Sequence, residues 1–137
     1  MDLKPSPRPT AINQPFLRGC NRDELWLQRC VQPACRKFVF YPRACCSHCG
    51  AAGLAWELAT GRGQIVSFSR VFRPQHESFF PEAPYYFIAV RLDEGPLFFS
   101  RLHHQELPVE TKLIGRQVRA VFVQHTLEQR LPLFELS

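Results

Sequence analysis

Cys30-Val31-Gln32-Pro33-Ala34-Cys35, a spacer of ten residues, then Cys46-Ser47-His48-Cys49-Gly50: the fold is decided by this stretch. Two close cysteine pairs at such a separation can bring four sulfurs into one tetrahedron, each pair on a tight turn, as a structural Zn²⁺ requires. The second pair has the form CxxCG, whose glycine lets the backbone curl under the metal. The first pair, CxxxxC, is wider, yet stays inside the range of about two to four intervening residues that zinc ligands use. The predicted metal ligands are therefore Cys30, Cys35, Cys46 and Cys49. Cys46 makes CxxC with Cys49 where its neighbour Cys45 does not, so Cys45 and Cys20 are left over. His48, inside the second knuckle, reads as a turn residue in preference to a ligand. A redox role for the second pair would call for a surrounding βαβ pattern, and none is present. Four thiolates leave no coordination position for water, so the ion is expected to contribute folding energy instead of hydrolytic power.

Outward from the cysteines, the chain is 137 residues long, enough for one domain or for one domain with a small module. Hydrophobic residues make up 45% against 21% charged, which excludes wholesale disorder. The apolar runs fall far short of the roughly 20 residues of a membrane span. Met1 to Pro9 offers Asp2, Lys4 and prolines in place of an apolar h-region, so no secretory signal is read and a reducing cytoplasm is expected. In that compartment closely paired cysteines more often hold metal than form disulfides. Up to Gly50 there are 8 Lys+Arg against 3 Asp+Glu, and beyond it 9 against 9, so the whole +5 excess sits with the cysteines. Four thiolates and one Zn²⁺ would lower that excess to about +3, since metal ligands must lose their protons. A basic chain favours phosphate-bearing partners, coenzymes as well as nucleic acids.

Residues 1–10 are Pro-rich and read as a flexible arm, followed by one short helix over Pro15 to Asp23 with Phe16 and Leu17 on one face. Leu25 to Arg29 and Phe38 to Tyr41 are strand-length runs beside the cysteine pairs. Leu54 to Ala59 leads into a succession of strands at Gly63 to Phe72, Tyr85 to Leu92, Leu97 to Leu102, Gln117 to Gln124 and Leu131 to Glu135, separated by Gly, Pro and Asp turn signals. Alternation places Tyr86, Ile88, Val90 and Leu92 on one face, and Val118, Ala120 and Phe122 on another. Five main strands of this kind suit a small antiparallel barrel, for which the OB-fold is the common solution. The expected organisation is mainly β: an N-terminal arm with a short helix over 1–24, a zinc ribbon over 25–53 and a five-stranded OB-fold barrel over 54–137. Residues Leu102 to Arg116 carry no strand signal and are expected to cap the barrel with a turn of helix.

The barrel half carries no GxSxG, HExxH or GxxxxGK[ST], and Gly61-Arg62-Gly63 is too sparse for a dinucleotide fingerprint. His103 and His104 would point to opposite faces of a strand. Asp93-Glu94-Gly95-Pro96 reads as a solvated turn. The stretch Arg70 to Tyr86 is more informative: a proline-stiffened loop presents Phe79 and Phe80 flanked by Arg70, Arg73 and His76. Rigidly held aromatics anchor interfaces well because they lose little entropy on docking. The alternative is that these rings fold back over the barrel end.

An ordered set of segments resembles a known family. It runs through Leu25-Trp-Leu-Gln-Arg-Cys30, Phe40-Tyr-Pro-Arg43, Cys46-Ser-His-Cys49-Gly50, Leu54-Ala-Trp-Glu57 and Thr60-Gly-Arg-Gly63. Val66-Ser-Phe-Ser69, Arg73-Pro74, Pro84-Tyr-Tyr86 and Arg91-Leu-Asp-Glu-Gly95 complete it. The chain thereby resembles the zinc-ribbon plus OB-fold family of acyl-CoA-associated proteins that accompany thiolase-superfamily enzymes. The first knuckle departs from the family's usual CxxC by two extra residues. The resemblance implies a rubredoxin-like ribbon, structural zinc and no activity of the chain's own. It also implies a thiolase-like or ketosynthase-like partner whose acyl-CoA or acyl-transfer site the chain helps complete. Arg70 or Arg73 would suit the CoA diphosphate, and Phe79 or Phe80 the acyl channel or the partner. Two other readings compete: a single-stranded nucleic-acid binder, as OB barrels and basic ribbons both allow, and a stand-alone enzyme or CoA-binding module.

Overall fold

The computed structural model describes residues 4–103 and 112–137. Thr10 and Asn13 set the first helix going by exchanging hydrogen bonds, Thr10 N to Asn13 Oδ1 at 2.7 Å and Asn13 N to Thr10 Oγ1 at 3.1 Å. Pro15 in the first turn suits a position whose N–H has no intrahelical partner. Helix α1 (Gln14–Asn21) buries Phe16, Leu17, Gly19 and Cys20 and ends where Asp23 takes a left-handed φ of 60°. The arm before it, expected to be loose, is held down: Lys4 pairs with Glu82 at 2.8 Å, and His125 Nε2 lies 2.6 Å from Pro5 O.

The ribbon is an antiparallel sheet in which β1 (Trp26–Cys30) lies between β2 (Phe38–Val39) and β3 (Leu54–Leu58). The second of these is shorter than the Phe38–Tyr41 run suggested, because Phe40 leaves the ribbon to stack on Phe98 of the barrel, 4.5 Å between ring centres. The apolar run reflected burial against another lobe, and burial alone does not distinguish a strand from a packed loop.

Five strands follow: β4 (Arg62–Val71), β5 (Tyr85–Leu92), β6 (Leu97–Arg101), β7 (Gln117–Gln124) and β8 (Arg130–Leu136). Their order across the sheet is β6-β5-β4-β7-β8. Leu102 and Phe134 form a parallel bridge, and His103 N donates to Phe134 O at 2.8 Å, so the last strand returns beside the third and nearly closes the barrel. The long β4 serves both neighbours, with an irregularity between Ile65 and Ser67 that bends it across the barrel. The alternation read from sequence is realised: Ile88, Val90 and Leu92 are buried with Tyr86 packed against them, as is Val118 with Ala120 and Phe122. Asp93 and Glu94 do make a turn, but Glu94 is half-buried and accepts a bond from Thr60 N at 3.0 Å, tying the turn to the entrance of β4. The helical cap expected between Leu102 and Arg116, and His104 with it, falls largely on residues 104–111, outside the described residues.

Candidate metal centre and exposed aromatic surface

The Sγ atoms of Cys30, Cys35, Cys46 and Cys49 all lie within 4.8 Å of one another. Cys30 and Cys49 are 3.6 Å apart, Cys35 and Cys46 3.8 Å. A tetrahedron with Zn–S bonds of about 2.3 Å has edges of about 3.8 Å, so the donor set and its spacing fit zinc. Cys30 comes from the end of β1, and the other three from the two knuckle turns. In the second turn Gly50 N donates to Cys46 O at 2.9 Å, and Gly50 takes a φ of 80° that glycine adopts without strain. In the first, Cys35 N and Arg36 N both return to Gln32 O, and Arg36 supplies the left-handed residue at φ 55°. The two extra residues are absorbed in that turn and the four sulfurs still converge.

Backbone N–H groups point at the sulfurs, as ionised ligands demand. His48 N donates to Cys46 Sγ at 3.3 Å. Burial pushes the Cys46 thiol up, but the N–H groups of Cys49 and His48, together with the Cys35 and Cys49 thiols, outweigh it and hold the thiol down at about 6. At Cys30 the Gln32 N–H pulls down, whereas burial and the three neighbouring sulfurs prevail and raise it to about 11. Four sulfurs this close cannot all carry charge without a cation among them. His48 is an exposed turn residue whose Nε2 lies 3.3 Å from Phe38 O. Cys20 is buried in the apolar core, and burial raises its thiol to about 12, which leaves it inert. One residue that the sequence reading passed over holds the site together. Buried Gln28 on β1 donates to Arg43 O at 2.9 Å and accepts from Arg43 N at 2.8 Å, clamping the approach to the second knuckle. A polar residue at an inward position of an apolar strand was the available signal.

The loop residues singled out in the sequence are not gathered into one cluster. The exposed Arg70, near the end of β4, has its guanidinium over the rings of Phe72 at 5.3 Å and Tyr86 at 5.4 Å. Arg73 is exposed on the following bend. His76 caps a short 3₁₀ helix (Glu77–Glu82), its Nδ1 accepting from Ser78 N at 3.2 Å. Phe79 is half-buried and stacks on His125 at 6.1 Å, with Lys4 Nζ over its ring at 5.3 Å from the centre, while Phe80 stays exposed. Both of the alternatives for this pair are thus represented, one ring folded back and one facing solvent. Further exposed aromatics went unread: Phe87 on β5 and Phe99 on β6 stack at 6.1 Å with their planes 10° apart. Phe87 alternates with the core-facing Tyr86, Ile88 and Val90 of β5, and Phe99 adjoins the buried Phe98 of β6, so both rings stand on outward positions.

Two family models match consecutive parts of the chain: the ChsH2 rubredoxin-like zinc ribbon domain over residues 18–55, and the ChsH2 C-terminal OB-fold domain over residues 56–123. The chain belongs to the ChsH2 family of zinc-ribbon plus OB-fold proteins. The ChsH2 ribbon match includes all four cysteines and begins inside α1. Among solved structures, the ChsH2-type fold here superposes on a chain described as "Ltp2-ChsH2(DUF35) aldolase" with a TM-score of 0.80 and 29% identity, covering 96% of this chain and 98% of that one. A DUF35-family protein of unknown function from Sulfolobus solfataricus has the same fold, with a TM-score of 0.61 at 13% identity over 93% and 86% of the two chains. A curated relative, the probable enoyl-CoA hydratase alpha subunit of Thermomonospora curvata, is 32% identical over 100 residues. The match takes in 73% of this ChsH2-type chain but 30% of that relative's length. Among the described residues no helix is long and apolar enough to cross a membrane.

Proposed function

We propose that the chain is a non-catalytic accessory subunit: it binds a thiolase-like or ketosynthase-like partner and helps complete that partner's acyl-CoA or acyl-transfer site. The observation carrying this reading is the likeness, over nearly the full length of both chains, to a chain of a structure described as an Ltp2-ChsH2(DUF35) aldolase, a description that joins two components. The chemistry of the chain supports it. Four sulfurs converge on one centre, so a metal there has no position left for substrate. The exposed rings of Phe68, Phe72, Phe80, Phe87 and Phe99 offer anchors of the kind that dominate binding energy at interfaces.

Within this reading Arg70 or Arg73 contacts the CoA diphosphate, His76 beside them contacts the partner or the acyl-CoA, and Phe79 or Phe80 faces the acyl channel or the partner. A guanidinium already flanked by two rings has less freedom to lose when it meets a phosphate. Co-expression with a candidate thiolase-like chain followed by untagged co-purification tests the assembly. A stable complex that turns over acyl-CoA only when both chains are present is expected, with Arg73→Ala weakening use of the CoA ester and Phe80→Ala weakening assembly. Turnover by the isolated chain, or salt-sensitive oligonucleotide binding with no protein partner, would overturn the proposal.

A further inference from the structure

A cleft of about 540 Å³ opens where the arm, the ribbon and the barrel meet. That volume lies in the range of about 300–1,000 Å³ typical of small-molecule sites. Its walls come from separate parts of the chain: Phe40 and Tyr41 from the ribbon, Phe79 from the 3₁₀ helix, Phe98 and Phe99 from β6, and Leu131 and Leu133 from β8. Most of this lining is aromatic or aliphatic. Strands β6 and β8 meet at the floor, where Ser100 Oγ donates to Pro132 O at 2.8 Å, so the cleft follows the seam at which the barrel nearly closes.

One wall is charged and out of balance. Lys4 Nζ and Arg101 Nη2 share the carboxylate of Glu82 at 2.8 and 2.6 Å. The side chains of Lys4, Glu82 and Arg101 are only 23%, 21% and 15% exposed. Glu82 is the sole carboxylate among the described residues lining the cleft. Two cations against one anion leave about one positive charge largely withdrawn from water at the edge of an apolar space, and a charge so placed favours an anion that can follow it there.

We propose that this cleft binds an apolar carboxylate, its hydrocarbon body against the aromatic walls and its carboxylate on the Lys4–Arg101 pair. Lys4 belongs to the arm, so the arm supplies part of the site as well as one edge of its entrance. The site needs no partner and is distinct from the Arg70 and Arg73 contacts, although Phe79, Phe87 and Phe99 belong both to its lining and to the surface offered to the partner.

Isothermal titration of the isolated full chain tests it, with dodecanoate as the probe and dodecanol as its uncharged counterpart. Dodecanoate is expected to bind saturably at one site per chain, and dodecanol about tenfold more weakly, the size of one charge-assisted contact. Lys4→Ala should weaken dodecanoate by about tenfold and leave dodecanol unchanged, a split that general damage to the cleft would not produce. Phe99→Asp should abolish both, whereas Leu127→Ser, an exposed position outside the lining, should alter neither. Absence of saturable binding, equal binding of the two probes, or equal loss in Leu127→Ser overturns the proposal. Because no partner is used, failure here leaves the co-purification experiment unaffected, and the reverse also holds.

Discussion

At the scale of single residues, the cysteines do not share one role. Cys46 is buried and accepts backbone N–H bonds, whereas Cys45 beside it is exposed and outside the sulfur cluster. Loss of a supporting group around a metal already weakens it about 10- to 100-fold, so loss of a sulfur costs more than that. Cys46→Ser is therefore expected to lose zinc on dialysis, and Cys45→Ser to retain one ion per chain with stability within about 0.5 kcal/mol of the parent. Zinc analysis with thermal unfolding checks both. Glu82 gives the pH dependence its sign. Partial burial works against its ionisation, but Lys4 and Arg101 outweigh burial and hold the carboxyl below its ordinary value. A carboxyl depressed in the folded state adds stability above its unfolded pKa of about 4.3, and that stability is lost as pH falls through the lower folded value. Glu82→Gln should accordingly be less stable than the parent near pH 7 and lose less between about pH 5 and pH 3, read from denaturant midpoints. The metal ligands were legible because their spacing is itself the signal. The charged trio was not, since its members stand at positions 4, 82 and 101 and only folding joins them.

At the scale of elements, β5 and β7 have the limits expected from sequence, because strict alternation is bounded on each side by turn residues. The length of β2 and the tethering of the arm were not legible for one reason: what Phe40 and Lys4 touch lies in other elements, which local periodicity does not encode. Strand β4 offers the sharpest test of the barrel. Gly63 faces Leu92 across one ladder and Val118 across the other, and a Cβ added to it would come within 2.5 Å of Arg91 O and 2.6 Å of Val90 Cγ1. Backbone in the middle of a sheet cannot retreat without loosening both ladders. Gly63→Ala is expected to destabilise the chain by about 1–3 kcal/mol, measured by urea unfolding. An unchanged midpoint would mean that β4 is not clamped as described.

At the scale of the whole molecule, the charge of the sequence divides at Gly50, but the hydrophobic core does not. Phe16 of α1 lies 5.6 Å from Phe40 of the ribbon and 6.2 Å from Phe98 of the barrel, and Phe98 meets Phe134 at 5.7 Å. Leu25 and Leu27, at the base of the ribbon, belong to the same buried cluster as Ile65, Ile88 and Val118 of the barrel. Reading segments in order predicts arm, ribbon and barrel as successive parts, since composition changes at their borders and long-range packing leaves no local trace. A shared core has a thermodynamic consequence. Zinc binding free energy becomes folding free energy for every element whose packing depends on the ribbon. Chelation should therefore weaken the barrel along with the ribbon. In hydrogen exchange, protection of the β5 and β7 amides is expected to fall together with that of β1 when zinc is removed, and thermal melting of the zinc-loaded chain is expected to be one transition. Two separate transitions, or barrel amides indifferent to chelation, would mean that the ribbon only rests on the barrel and that the rings around Phe16 carry little of the coupling.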